Sequence, residues 1–150
     1  RGARRTGGAR RPPSPWPPAV IADTSAWIEY LRGTGSAEHR RLREQIEAEA
    51  PVVVPELVVM EVLAGAPDEA SARRLRALLH TFEVVPLAPL VDSERAAGLQ
   101  RQCRRAGRTV RNMIDCVIAA QAIRLELPVL HLDRDFAVLS EVTDLTVVLP

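Results

Sequence analysis

The segment VIADTSAWIEYL, residues 20 to 31, carries the clearest fold signal in the chain. Apolar and small residues run directly into Asp23, and Thr24 and Ser25 lead into a stretch whose apolar residues recur at helical spacing. This pattern predicts a short buried strand over residues 20–23, ending on a carboxylate and followed by a helix. A charge at the edge of a core requires a partner or a metal ion. Asp23 also suits the N-cap of the helix, so the segment alone leaves both roles open.

Composition and charge indicate an ordinary soluble globular protein. The chain has 150 residues, 47% of them hydrophobic and 26% charged, which fits one domain with a substantial core. The first 18 residues hold five arginines and no acid, leaving 15 basic against 19 acidic residues in the remainder. The whole-chain charge of +1 is therefore weak support for nucleic-acid binding. The chain has no lysine, which excludes chemistries such as those of P-loop nucleotidases that place a lysine beside the phosphate.

The remaining bulk features concern location and processing. Cys103 and Cys116 have neither metal-site spacing nor a disulfide pattern, which favours a reducing cytoplasm. No run approaches 18 apolar residues, so we expect no membrane span, and the basic start lacks the apolar region of a secretory signal. Residues 1–18 are rich in Gly, Arg and Pro and predict a disordered extension ahead of a single domain over residues 19–150.

The rest of the chain alternates β-rich runs with helical patterns that end at Gly or Pro. Further strands are predicted at residues 52–54, 82–86, 129–132 and 145–149. Further helices are predicted at about residues 37–50, 56–63, 69–80, 90–105, 112–125 and 136–141. This alternation predicts an α/β fold, a three-layer α/β/α sandwich around a central, mostly parallel sheet.

Four acidic residues stand in apolar surroundings. Asp23 ends the first predicted strand, Glu61 lies within LVVMEVLAG, Asp115 lies within MIDCVIAAQAI, and Asp133 follows VLHL. Each has an ordinary explanation: an arginine partner for Glu61, a helix cap for Asp115, a turn before the next helix for Asp133. Buried carboxylates are rare unless they are paired or bound to metal. A shared divalent cation would satisfy all four, whereas four separate partners are hard to find in this sequence.

Topology favours a meeting point for these acids. In open parallel sheets, ligands bind at the carboxyl ends of strands, where Asp23 and Asp133 are predicted to lie. Asn112 and Asp115 are three residues apart and share a helix face. A set of oxygen ligands without a His or Cys pair selects Mg²⁺ or Mn²⁺. One or two such ions, roughly 3.5–4 Å apart, are the usual apparatus for attack of water on a phosphodiester.

Several neighbouring residues have an open interpretation. Arg108, Arg111 and Arg134 lie beside the predicted ligands in sequence and are candidates for steering phosphates, although ordinary exposed arginines explain them equally well. His131 is better interpreted as a core or surface histidine than as a ligand.

Four stretches, in this order, resemble the PIN domain, and more narrowly the VapC-type ribonuclease toxins of bacterial toxin–antitoxin pairs. They are VIADTSAWIEYL, VPELVVMEVLAG, GRTVRNMIDCVIAAQAI and VLHLDRDFAVLS, within a resemblance that covers about residues 20–150. The resemblance implies that Asp23, Glu61, Asp115 and Asp133 surround Mg²⁺ or Mn²⁺ in an endoribonuclease. It also implies a supporting acid at Asp135, a small polar residue near the metal at Ser25, and a polar neighbour of the third acid at Asn112.

The same resemblance implies partners. It suggests a homodimer, an RNA substrate such as tRNA or rRNA, and a small cognate antitoxin of the VapB type that masks the cleft and contacts operator DNA itself.

Two other functions stay open at this point. One is a non-catalytic PIN-like module that acts through antitoxin or RNA binding. The other is a metal-dependent DNA nuclease of the flap type, but this chain is too short to include the helical arch of such an enzyme.

Overall fold

The structure is a computed structural model that describes residues 18–148. The predicted extension over residues 1–18 lies outside this range except for Pro18. The strands are β1 (Val20–Ala22), β2 (Val52–Pro55), β3 (Glu83–Val85) and β4 (Val129–Leu130). The helices are α1 (Thr24–Arg32), α2 (Ala37–Glu47), α3 (Glu56–Ala64), α4 (Glu69–Leu79), α5 (Pro89–Arg105), α6 (Met113–Leu125) and α7 (Arg134–Val142).

The four strands form one parallel sheet in the order β3-β2-β1-β4. Parallel strands are almost always joined by right-handed crossovers. The β1–β2 and β2–β3 connections run one way across the sheet, and the β3–β4 connection returns to the opposite edge. These directions place α1–α4 on one face and α5 with α6 on the other. Packing agrees, since α1 packs against α2 and α3, whereas α5 packs against α6 and α7. The predicted α/β fold with a parallel sheet is confirmed.

The core is built on the two central strands. Every residue of β1 and β2 is buried. Trp27 is also fully buried, with its ring centroid 5.1 Å from that of Phe82 and 5.9 Å from that of Tyr30, both edge-to-face. Such pairs add to the free energy gained from burial alone. By contrast, α2 contributes only Leu42 as a buried residue, as expected for a solvated helix.

Strand predictions near the C-terminus were too long. Residues 131 and 132 leave the sheet, so the predicted strand 129–132 is the two-residue β4. The predicted strand 145–149 is reduced to one parallel bridge between Val147 and Val129. Because β4 has only two residues, it offers too few backbone groups for residues 145–148 to form a longer paired strand. Residue 149 lies outside the described range.

Asp92 on α5 is a further buried acid, which is not among the four that the sequence pattern indicated. Its side chain is fully buried and accepts two hydrogen bonds from Arg124 on α6, at 2.8 and 2.9 Å, and one from the Ala88 N–H at 2.8 Å. Burial by itself raises the pKa of Asp92, but these hydrogen bonds outweigh it and hold the pKa below its usual value. The fork-shaped pair joins α5 to α6.

Neither cysteine forms a disulfide, and both are buried. Within residues 18–148, no helix combines the length and apolar character that crossing a bilayer requires.

Candidate active site

Asp23 lies where the sheet topology predicts a ligand site. The strand order changes direction at β1, with β2 on one side and β4 on the other, and Asp23 follows β1 directly. The backbone N–H of Asp23 donates to the carbonyl of Leu130, which ties the ends of β1 and β4 together. The Asp23 side chain is also the N-cap of α1 and accepts from the Ser25 N–H at 3.0 Å. The two roles left open by the sequence are therefore compatible.

Ser25 bridges the two strand ends. Its hydroxyl donates to Asp23 Oδ2 at 2.8 Å and accepts from the Leu132 N–H at 2.9 Å. The Leu132 segment leads directly to Asp133. A serine near the metal, implied by the resemblance, is thus placed to orient one acid and to fix the loop that carries another.

Asp115 is held by the start of α6. Asn112, and not Asp115, is the N-cap, since its Oδ1 accepts from the Ile114 N–H at 3.0 Å. The other end of the same amide donates to Asp115 Oδ1 at 3.1 Å. This arrangement follows from the three-residue spacing, which places both side chains on one face of the helix. Asp115 is buried, with 4% of its surface exposed.

Asp133 and Asp135 complete a group of three acids with Asp115. One carboxylate oxygen from each of the three lies within 4.8 Å of the others. Asp133 is exposed and is the N-cap of α7, not the buried end of a strand as predicted, because β4 ends three residues earlier. Asp135 is buried, and its Oδ2 accepts from the N–H groups of Arg111 and Asn112 at 2.7 and 3.0 Å.

Glu61 lies on the other helical layer. The prediction that it is buried was wrong: α3 presents Met60 to solvent, and Glu61 is partly exposed. Glu61 Oε2 accepts from the Thr24 hydroxyl at 2.5 Å, which joins α3 to the residue after Asp23. Glu61 does not belong to the group of acids within 4.8 Å, and neither does Asp23. Both nevertheless lie close enough for their charges to act on Asp115.

The electrostatics of the site disfavour ionised acids in the absence of a cation. Burial raises the pKa of Asp115 to about 8, and the charges of Asp23, Asp133, Asp135 and Glu61 add to this effect. Burial likewise raises the pKa of Asp23 to about 6, against hydrogen bonds from Ser25 that lower it. The charges of four other carboxylates, from both helical layers, therefore act on Asp115.

Two carboxylate oxygens in this cleft are unsatisfied. Asp23 Oδ1 and Asp115 Oδ2 are buried, and neither has a hydrogen-bond partner within residues 18–148. An unsatisfied buried acceptor is costly, and for a carboxylate the cost is larger still. Hard oxygen ligands of this kind suit Mg²⁺ or Mn²⁺. The donor set thus fits a divalent cation, which would satisfy both oxygens and offset the repulsion among the acids.

Three arginines border the acids. Arg134 is the first residue of α7, between Asp133 and Asp135. Together with Arg108 and Arg111 it lines a pocket of about 280 Å³. His131 is partly buried and packs on Phe136 with ring centroids 5.2 Å apart, in agreement with its interpretation as a core histidine.

Sequence reasoning missed two features of the site. Thr24 was noted only as a small hydroxylated residue, although its hydroxyl holds Glu61. Asp135 was given a supporting role, yet it is more buried than Asp133 and is one of the three close acids. Its helical spacing with Phe136, Val138 and Leu139 on the buried face of α7 could have signalled its burial.

Comparison with known proteins identifies the family. The PIN domain family model matches residues 20–142. Ribonuclease VapC11 of Mycobacterium tuberculosis is 39% identical over 127 residues, which cover 84% of this chain and 95% of that protein. The structure resembles that of VapBC-5 from Mycobacterium tuberculosis, a member of the VapBC family of toxin-antitoxin systems, with a TM-score of 0.61, 25% identity, and coverage of 88% of this chain and 98% of that one.

A more distant neighbour has the same fold. VapBC2 from Rickettsia felis, bound to a DNA fragment from its promoter, gives a TM-score of 0.68 at 15% identity, covering 87% of this chain and 97% of that one. With the family match spanning most of the chain and a relative 39% identical across nearly its own full length, the chain belongs to the PIN-domain family and is related to the VapC ribonucleases.

Proposed function

We propose that this protein is a Mg²⁺- or Mn²⁺-dependent endoribonuclease, the toxin of a VapBC-type pair, acting in the cytoplasm on tRNA or rRNA. The observation that carries the proposal is the group of three close acids, Asp115, Asp133 and Asp135, whose member Asp115 also feels the charges of Asp23 and Glu61. Asp115 and Asp23 each have one buried oxygen without a hydrogen-bond partner among residues 18–148, and Asp23 lies at the switch point of the sheet. Its relationship to proteins named VapC ribonucleases supports RNA as the substrate.

In this proposal, Asp23, Asp115, Asp133 and Asp135 hold the cation, and Glu61 faces them from α3. A bound Mg²⁺ or Mn²⁺ supplies an activated water molecule and neutralises the charge that develops on the phosphate. Asn112 and Ser25 orient Asp115 and Asp23, so that each carboxylate presents its unsatisfied oxygen to the cleft. The raised pKa of Asp115 makes its carboxyl group the best candidate in the cleft for holding a proton when no cation is present.

The test is cleavage of total tRNA and rRNA by the purified protein with Mn²⁺, Mg²⁺ or EDTA. We expect cleavage only with a divalent cation, and a loss of at least about 100-fold in Asp23→Asn and in Asp115→Asn, since either change removes a ligand. Asp144→Asn, an exposed acid outside the cluster, is the control and is expected to keep full activity. Equal cleavage by wild type and Asp115→Asn would refute catalysis at these acids, whereas no cleavage by wild type with either cation would favour a non-catalytic module.

A single-stranded DNA of matched sequence, assayed beside the RNA, separates a ribonuclease from a DNA nuclease. Cleavage of RNA alone is the expected result. Preferential cleavage of DNA would contradict the proposed substrate.

The partner part of the proposal has its own support. A groove of about 220 Å³ lies beside Glu61 and is bordered by Ile28, Leu31 and Leu75, with the first two exposed. Exposed apolar side chains in a groove suit the apolar face of a helix from another chain. We propose that a VapB-type antitoxin segment occupies this groove, that operator DNA is contacted only through the antitoxin, and that the toxin forms a homodimer. Ile28→Glu should weaken antitoxin binding at least about tenfold without loss of RNA cleavage; unchanged binding would exclude this groove.

A further inference from the structure

The pocket beside the acids carries an excess of positive charge. Gly107, Thr109 and Val138 line it together with three arginines, Arg108, Arg111 and Arg134. Arg108 is already paired, through its Nη2 at 2.5 Å from Glu141 Oε2. Neither Arg111 nor Arg134 has a carboxylate oxygen within 4.0 Å in the part of the chain that the structure describes. Within that part, two of the arginines that line this small pocket therefore have no ion-pair partner.

The position of Arg134 is unfavourable for folding alone. It is the first residue of α7, where the helix dipole favours negative charge and disfavours positive charge. Its two neighbours, Asp133 and Asp135, use their side chains on the helix N-terminus and on the backbone of residues 111 and 112. Arg134 is exposed and has no ion pair among residues 18–148, so its charge is available to an anionic ligand.

The segments that line the pocket also contact one of the acids. The N–H groups of Arg111 and Asn112 both donate to Asp135 Oδ2, which fixes the segment between α5 and α6 against α7. Arg134 lies between two of the three close acids in sequence. An anion in the pocket would therefore lie near a phosphate that a cation holds at the acids.

The pocket has open space at Gly107. Gly107 begins the segment with φ +70°, a left-handed conformation that suits glycine, and no atom lies within 4 Å of the place where its Cβ would be. Thr109 offers an exposed hydroxyl donor. Guanidinium groups with a hydroxyl are a suitable donor set for phosphate oxygens.

We propose that Arg111 and Arg134, assisted by Thr109, form a subsite that binds a backbone phosphate of the RNA strand adjacent to the one held at the acids. This subsite rests on the proposed ribonuclease function and deepens it. Arg111 and Arg134 are positioning residues: they set the register of the strand and do not contact the reacting atoms. Arg108 stays paired with Glu141 and is not part of this subsite.

The first test measures binding of a short fluorescein-labelled single-stranded RNA by anisotropy, between about 0.05 and 0.2 M salt. Asp115→Asn serves as the background in every protein, so that cleavage does not interfere. The double variant Arg111→Gln/Arg134→Gln should bind roughly tenfold more weakly. The slope of log affinity against log salt should fall by about 0.7, as expected when one phosphate of a single strand is no longer neutralised. Arg73→Gln, at an exposed arginine on α4, is the matched control and should change neither quantity.

A variant that should raise RNA affinity, instead of lowering it, provides a second test. Glu141→Gln releases Arg108 and removes a negative charge near the pocket, so RNA affinity should rise about two- to threefold. Glu69→Gln on α4 makes the same change of charge away from the pocket and should have no effect. Circular dichroism and melting temperature confirm that each variant is folded.

Kinetics on the otherwise wild-type enzyme separate positioning from chemistry. Arg111→Gln/Arg134→Gln should raise KM about tenfold and leave kcat within about twofold, as expected for uniform binding energy. If wild type cleaves RNA but the double variant keeps its affinity and salt slope, the subsite is refuted and the nuclease stands. If RNA binds with the arginine-dependent slope but is never cleaved, the subsite stands and the nuclease fails. Absence of any RNA binding overturns both.

Discussion

Asp115 is the residue at which burial and charge act most strongly. It is 4% exposed, one of its oxygens has no hydrogen-bond partner within residues 18–148, and four other acids act on it. In solution without metal, such a residue opposes folding whenever it is ionised. A cation bound at Asp115, as proposed, would reverse the sign of this contribution to stability.

The stability of the metal-free protein should therefore depend on pH. The pKa of Asp115 is raised from 3.8 to about 8 in the folded state, so the folded protein binds the proton more tightly than the unfolded chain. Stability is then fully present below pH of about 4 and is lost as the pH rises towards 8. In EDTA, the melting temperature of wild type relative to Asp115→Asn should fall steadily over this range. A constant difference between the two proteins would contradict the raised pKa.

Ser25 allows a test of orientation. Ser25→Ala removes one hydrogen bond to Asp23 and one from the Leu132 N–H, so Mn²⁺ affinity should fall about tenfold, as for other supporting residues of metal ligands. Titration calorimetry with Mn²⁺ measures this. Ser140→Ala is the control, because its hydroxyl donates only to the carbonyl of Ala137 within its own helix. Equal affinities in wild type and Ser25→Ala would remove Ser25 from the site.

At the scale of secondary structure, the sequence predicted most elements and the place of the acids along the chain. Two local sequence patterns predicted the observed structure. One is the buried strand that Asp23 follows, and the other is the three-residue spacing between Asn112 and Asp115. The degree of burial was harder to predict. Glu61 and Met60 lie on a helix that is apolar nearly all round, yet α3 is an outer helix with one open face. Which face a helix shows to solvent depends on its neighbours and not on its own sequence.

The Asp92–Arg124 pair illustrates the same limit. The two residues are 32 positions apart, and nothing local in the sequence indicates that they meet. Arg124→Ala would leave a buried carboxylate with only the Ala88 N–H as a donor, and should lower the free energy of unfolding by about 3 kcal/mol. Chemical denaturation measures this. Arg43→Ala, which breaks an exposed pair with Glu47 within α2, should change stability far less. Equal losses in the two variants would show that the buried pair between α5 and α6 stabilises the fold no more than an exposed pair.

At the scale of the whole molecule, the fold brings three separate regions to one edge of the sheet. Asp23 comes from the end of β1, Glu61 from the layer of α1–α4, and Asp115, Asp133 and Asp135 from α6 and α7. In the proposed function, a cation shared among them would join the two helical layers. Binding to the folded state alone stabilises it.

We therefore expect Mn²⁺ at about 100 times its dissociation constant to stabilise the protein by about 2.7 kcal/mol. At this chain length that corresponds to a rise in melting temperature of roughly 5–10 °C. Asp115→Asn should lose most of the rise, whereas Asp144→Asn should keep it. Equal shifts in wild type and Asp115→Asn would mean that Mn²⁺ binds elsewhere.

The most direct measurement is an anomalous difference map from crystals soaked in Mn²⁺. We predict a peak among Asp23, Asp115, Asp133 and Asp135, within about 2.0–2.3 Å of carboxylate oxygens that include Asp115 Oδ2. A protein that cleaves RNA with Mn²⁺ but shows no peak there, or shows its peak only at another place, would contradict a shared metal site.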